Sequence, residues 1–218
     1  MIIYNYNPST GEYIGTGEAR ESPREPGVFL IPANAVTVVP PTAGINEVAV
    51  WNGEEWEVKS DFRGKIYYDK TTKEKHEITE IGIIPDVNWT DVEPIDSEAV
   101  WNKDSWEVPF VVLVERKKAE IAQARYNAEI AGINGIRTDR ESQSLITGAA
   151  LKAMQDSTYT CMWKGVDGFV ELTAPQILAI ADAVRAHVQG CFDREAELLP
   201  LIEAATSPEE LGGIAWGI

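Results

Sequence analysis

Two histidines and two cysteines bound the metal and nucleophile chemistry open to this chain. His187 precedes Cys191 by one helical turn, so the two side chains reach a common helix face. With Cys161 added they would form part of a zinc site, but a closed tetrahedral site needs four ligands and no fourth is indicated. Cys191 also fits an apolar stripe, where a buried thiol behaves as a small hydrophobe. No basic cluster adjoins either cysteine to stabilise a thiolate. His76 lies in Lys73-Glu74-Lys75-His76-Glu77, a solvated hairpin edge.

Carboxylates are abundant, and none is singled out. Glu54-Glu55, Asp193 with Glu195 and Glu197, and Glu209-Glu210 are neighbours of the kind a chain with 35 acidic residues must contain. Glu209-Glu210 suit the positive end of a helix that follows Ser207-Pro208. A glycosidase would need two carboxylates across a cleft, and no pair declares itself. Glu195 is distinctive because it alone interrupts an apolar stripe. That makes it a partner in a cross-helix ion pair or a polar residue that sets register. There is no Gly-rich phosphate loop, metalloprotease helix or nucleophile elbow. The chain reads as non-enzymatic, with no catalytic residue, cofactor or metal assigned.

Two kinds of element carry these residues, in an α+β arrangement. The stretch from Thr173 to Ala205 predicts a long helix, with Thr173 and Gln176 as a capping box around Pro175. Its stripe runs Ile177, Ala181, Val184, Val188, Cys191, Glu195, Leu198, Ile202, in steps of four and three that seat one side against a partner helix. Pro200 predicts a kink or an end near Leu199. Upstream, Phe110, Val114, Lys117, Ile121, Ala124, Ala128 and Ala131 predict another helix, closed by Gly132 and Asn134-Gly135. Thr138 or Asp139 caps a third, with Leu145, Ile146, Ala149 and Ala153 on its inner side. A β-hairpin over 159–172 turns at Gly165-Val166-Asp167-Gly168. A short last helix stops at Gly212-Gly213, and an apolar tail with Trp216 either docks back or reaches for a partner.

The first hundred residues read as short strands and turns, with Ile2 to Tyr6 and Glu12 to Gly15 closing a hairpin around Asn7-Pro8-Ser9-Thr10-Gly11. Prolines confine Val28–Ile31 and Val36–Val39 to edges. Ala49-Val50-Trp51-Asn52-Gly53-Glu54-Glu55-Trp56-Glu57-Val58 returns as Ala99-Val100-Trp101-Asn102-Lys103-Asp104-Ser105-Trp106-Glu107-Val108. Each copy predicts a Trp hairpin, tight in the first through Asn52-Gly53 and longer in the second, where Lys103 replaces glycine. Tyr6 to Glu12 likewise answers Tyr68 to Glu74. The expectation is two related β units, 1–64 and 65–109, followed by a helical domain, 110–218. The paired tryptophans either pack a thin core or present a platform for a ligand or another chain; Trp51, Trp56, Trp101, Trp106 and Trp216 are the candidate contact residues.

A net charge of −16 disfavours phosphate backbones and anionic membrane surfaces, so no nucleic-acid or membrane partner is expected. The absence of a long apolar run predicts no membrane span, and two isolated cysteines fit a reducing cytoplasm.

Tyr6-Asn7-Pro8-Ser9-Thr10-Gly11-Glu12-Tyr13, Pro26 to Ala35, Pro40-Pro41, and Val50 to Trp56 together resemble modules of bacteriophage tail-fibre and tail-fibre assembly proteins. Asp61-Phe62-Arg63-Gly64-Lys65-Ile66-Tyr67-Tyr68-Asp69 resembles the pattern that follows in them. The second half, through Gly135 to Arg140, Trp163-Lys164, Asp167-Gly168-Phe169, Gln176, His187 and Cys191-Phe192, is similar to an uncharacterised C-terminal domain of phage tail proteins. The resemblance covers most of the chain. It implies a phage tail-fibre protein as partner, with the chain acting as an assembly chaperone in the host cytoplasm or staying on the virion tail. It leaves open homo-oligomers through the C-terminal helices. The alternative reading is a receptor- or carbohydrate-binding module using exposed tryptophans.

Overall fold

A computed structural model describes residues 1–165 and 168–217. The fold is α+β and divides into two compact units, Met1–Glu107 and Val108–Ile218.

In the first unit β1 (Ile2–Tyr6) lies between β2 (Tyr13–Glu18) and the short β5 (Ala35–Val36), all antiparallel. A two-residue ladder, β3 (Arg20–Glu21) with β4 (Phe29–Leu30), closes the proline-stiffened loop. The hairpin of β6 (Glu47–Trp51) and β7 (Trp56–Ser60) follows. The order then recurs. β8 (Ile66–Asp69) is flanked by β9 (Lys75–Glu77) and the short β10 (Trp89–Thr90), and β11 (Val100–Asn102) and β12 (Ser105–Glu107) form a second hairpin.

The turns repeat bond for bond. Asn7 N–H donates to the Glu12 carbonyl (2.8 Å) and Gly11 N–H to the Asn7 carbonyl (2.7 Å). Asp69 N–H donates to the Glu74 carbonyl (2.9 Å) and Lys73 N–H to the Asp69 carbonyl (2.8 Å). Asn7 and Asp69 side chains accept the amides of Ser9 and Thr71, as Asx residues do in turns. Gly11 and Lys73 both sit at positive φ, 74° and 64°. In the first copy glycine is also required by space, because a Cβ there would lie 2.4 Å from the Trp51 carbonyl. That close approach lets the Gly11 carbonyl accept Trp51 N–H (2.8 Å) and stitches the turn to β6. In the second copy the ammonium of Lys73 donates instead to the Ser97 carbonyl (2.6 Å).

One expectation reverses. The second Trp hairpin has the shorter turn, with Asn102 opposite Ser105 and Lys103 at φ 54°. In the first, the ladder stops at Trp51 opposite Trp56, because the Asn52 carboxamide oxygen takes the amides of Glu54 and Glu55 (2.9 Å each). An asparagine side chain competing for turn amides loosens the ladder more than a strained lysine does. In the Asp-x-Arg-Gly segment, Arg63 donates to Asp61 (2.8 Å) and to Glu12, joining that segment to the first turn. These hydrogen bonds from Arg63 hold the Asp61 carboxyl below the usual carboxylate range. The core beneath is thin. Ile3, Ala19 and Ala35 are buried with Phe29 against them, while Ile45, Val87 and Ile95 stand exposed.

In the second unit α3 (Ala174–Ala204) is the spine for α1 (Phe110–Ile130), α2 (Arg140–Gln155), a hairpin of β13 (Thr160–Gly165) and β14 (Gly168–Thr173), and α4 (Pro208–Gly213). The hairpin turn expected at Val166-Asp167 lies outside the described residues. Gln176 Oε1 accepts the amide (2.9 Å) and hydroxyl (2.8 Å) of Thr173 at the start of α3. The α3 stripe is used inside the unit. Val184 and Val188 pack with Ile146 of α2, Ile177 with Ala153 and Leu172, and Leu198 and Ile202 with Ile121 of α1 and Leu211 of α4.

One detail, at Leu145, differs from the periodicity reading, and two alternatives it left open, at Pro200 and at the cap of α2, are narrowed. The helix runs through Pro200 to Ala204, since Leu198 and Ile202 on either side of the proline are 3% and 0% exposed and packing outweighs one lost backbone bond. Leu145 is 59% exposed, because Ile146 one position on faces α3. Asp139 caps α2 through Ser142 N–H (2.9 Å), while Thr138 closes α1. The fully buried Thr138 hydroxyl donates to the Glu129 carbonyl and accepts Gly132 N–H (2.9 Å).

Val188→Asp places an unpaired carboxylate against Ile146 and Val184, and is expected to destabilise the second unit by more than about 4 kcal/mol in chemical denaturation; a wild-type midpoint contradicts the packing. Thr138→Val leaves a buried amide without its acceptor and should cost about 1–3 kcal/mol. No change would show that this cap is not used in solution.

Candidate functional site

The repeated tryptophans face each other across their hairpins. Trp51 and Trp56 are directly opposed with ring centroids 5.4 Å apart, and Trp101 and Trp106 are 5.3 Å apart, both pairs edge-to-face. In each copy the second indole N–H bonds a preceding carbonyl, Trp56 to Val38 (2.9 Å) and Trp106 to Val92 (2.8 Å). The asparagine after the first tryptophan donates to the glutamate after the second, Asn52 to Glu57 (2.6 Å) and Asn102 to Glu107 (2.7 Å).

Their surroundings differ. Trp51 and Trp56 are half-buried in an aromatic cluster with Tyr6 and Tyr13, at centroid distances of 5.9–6.5 Å. Trp106 is buried, only 4% exposed, whereas Trp101 is half-buried beneath the ammonium of Lys70, 5.6 Å from its ring centre. His76 stacks flat on Trp89 at 4.1 Å, so the histidine read as a solvated edge residue lies against an aromatic ring. Trp216 packs with Ile214 over the Ile121–Leu198–Ile202–Leu211 cluster, so the tail docks back. Its carbonyl accepts Arg194 Nε–H (3.2 Å), and its buried indole N–H has no partner among the described residues.

The residues weighed for metal chemistry do not converge. His187 Nε2 lies 3.0 Å from the Ala128 carbonyl and Cys191 is buried. Burial pushes the Cys191 thiol above its ordinary range, the opposite of what an activated nucleophile needs. Among the described residues no group of three or more His, Cys, Asp and Glu side chains is placed to hold a metal ion.

Glu195 does pair across helices, but it is one end of a larger network. Arg125 of α1 bonds Glu195 of α3 (3.1 Å) and Glu129 of its own helix, and stacks on Phe192 at 4.6 Å. Gln143 of α2 donates to Glu129 (3.2 Å) and to the Thr138 carbonyl (2.7 Å). Glu129, 4% exposed, was not predicted to lie inside, because it falls off the apolar stripe of α1. The signal available was the Arg125–Glu129 spacing of one turn opposite the acid that breaks the α3 stripe.

A groove of about 830 Å³ lies between α2 and the β13–β14 hairpin. Tyr159, Trp163 and the exposed Leu145, Met162 and Phe169 line it, with Arg137, Glu141 and Lys164 among them. Its apolar side chains and mixed charges suit an extended peptide better than a reaction.

Residues 113–215 match a domain of unknown function, DUF4376. The chain is 35% identical over 106 residues to the tail fiber assembly protein of Escherichia phage lambda, covering 48% of this chain and 52% of that protein. It is 35% identical, also over 106 residues, to the prophage tail fiber assembly protein homolog TfaR of Escherichia coli (strain K12), covering 48% and 53%. The chain thus spans about half the length of the curated relatives it matches. No solved structure matches. The DUF4376 match spans most of the helical unit, and over about half its length the chain is similar to phage tail fibre assembly proteins.

Proposed function

We propose that this protein binds a phage tail fibre during assembly, as a non-enzymatic chaperone or as a component that stays with the fibre on the virion. The similarity to two tail fibre assembly proteins carries the reading. The surfaces are consistent with it. An open groove and exposed Met162, Phe169 and Leu145 offer apolar contact to a chain end that would otherwise aggregate. The surplus of acids over bases keeps the carrier itself soluble. No described helix is long and apolar enough to cross a membrane, which fits a role in the host cytoplasm while particles are built. Residues 1–64 and 65–109 act in this reading as two copies of one β unit ahead of a helical domain, 110–218. Homo-oligomers would use surfaces other than the α3 stripe, which is occupied within the unit.

A second reading has one observation in its favour. Trp51 and Trp56 with Tyr6 and Tyr13 make a half-buried aromatic cluster, and such clusters stack on sugar rings. Trp106, being buried, has no part in it.

Co-expression with a phage tail fibre protein should give a complex that survives affinity purification, and that fibre expressed alone should lose solubility. A fibre that folds and assembles equally well without this protein overturns the assembly role. Trp106→Ala is expected to cost about 3–5 kcal/mol in a denaturant melt, as loss of a buried aromatic does, with a distinctly smaller loss for Trp51→Ala. Glycan binding that disappears in Trp51→Ala while the fibre complex persists would move the assignment to the second reading.

A further inference from the structure

We propose that the groove between α2 and α3 is a docking site for an acidic peptide segment of a partner protein, gripped by Arg140 and Arg185. This goes beyond the fibre reading, since it holds whichever protein supplies the acids. The groove is open, about 660 Å³, with Val188 and the 43% exposed Phe192 in its wall. Arg140 and Arg185 line it, both exposed, and among the described residues neither is bonded to an acid. Elsewhere in the helical unit Lys117, Lys118, Arg125, Lys152 and Arg194 each reach a carboxylate.

The acid that lines the groove is already engaged. Glu129 lines the same groove, but it is bonded by Arg125 and Gln143, so it leaves the two guanidinium groups unanswered. Guanidinium groups grip carboxylates through paired N–H bonds, and an incoming Asp or Glu meets two such forks beside an apolar wall for its stem. A phosphate would lack the amide donors that usually cradle it. The Asp139 carboxylate takes Ser142 N–H at the start of α2, and the Ser144 and Thr147 hydroxyls donate to the Arg140 and Gln143 carbonyls (3.0 and 2.8 Å).

Fluorescence anisotropy of labelled hexaglutamate with the full chain tests this directly. Saturable binding that weakens as salt rises, and falls at least tenfold in Arg140→Gln/Arg185→Gln, is the expected result. The Arg20→Gln/Arg24→Gln control on the first unit should bind within twofold of wild type. Both variants should melt as wild type does. If the groove variant melts early, Arg185→Lys replaces it: weaker binding at unchanged melting supports the fork, and equal binding overturns it. Absence of saturation, equal loss in the control, or full competition by inorganic phosphate at the same concentration as peptide each overturns the proposal. Salt-sensitive self-association that vanishes in the groove variant would assign the site to a second copy instead. The assay contains no fibre, so its failure and that of the fibre reading are separable.

Discussion

The helical unit depends on one half-buried guanidinium. Arg125 reaches across from α1 to Glu195 of α3, holds Glu129 on its own helix, and through Glu129 and Gln143 engages α2. Taking a carboxylate as enclosed as Glu129 out of water costs several kcal/mol, and only a charged partner with good hydrogen bonds offsets it. The three helices must therefore arrive together and in one register. Apolar packing supplies the driving force along α3, at Val184 and Val188 on one side and Leu198 and Ile202 on the other. The network lies between these clusters in the sequence of α3 and gives an otherwise adaptable apolar seam a single fit.

The first unit solves the opposite problem. With most of its large side chains only half-buried, it relies on local bonds: Asx turns, a carbonyl that accepts each second indole N–H, and an Asn–Glu bridge across each hairpin. Such a design leaves much apolar surface at the rim, including Ile45 and Val87. That is costly for an isolated domain and useful for one that meets another chain. Divergence between the copies follows from a single backbone contact. Where Gly11 lets a turn touch β6, Lys73 carries a Cβ and bridges with its ammonium instead.

Helices were legible where the apolar period was long, as in α3, whose stripe is buried at every position foreseen except the half-buried Ala181 and the ion-paired Glu195. Short-range chemistry left open what tertiary contacts decide at Pro200, where the helix does not end, and misled at Leu145, which turns outward. The turn lengths of the two Trp hairpins came out reversed because the Asn52 side chain, invisible to a rule about glycine, competes for the turn amides. Of the candidate contact residues, composition could not tell Trp106 from Trp101; only the strand packing separates a buried ring from one beneath a lysine. The polar network was half legible, since an acid breaking an apolar stripe demands a cation, yet nothing in the α1 pattern marks Glu129 as interior. Function was not legible from residue chemistry at all, and the family resemblance carried it.

Charges that elsewhere would mark a reactive centre are here tied to the fold. A double-mutant cycle on Arg125→Met and Glu129→Gln, read by chemical denaturation of the full chain, tests that most directly. The account predicts that each single change destabilises the helical unit and that the pair couples by more than about 1 kcal/mol, because Arg125→Met leaves the enclosed Glu129 carboxylate without its cation while Arg125 without Glu129 keeps only Glu195. Single changes within about 0.5 kcal/mol of wild type would contradict it, by showing that these buried charges are retained for something other than holding three helices in place.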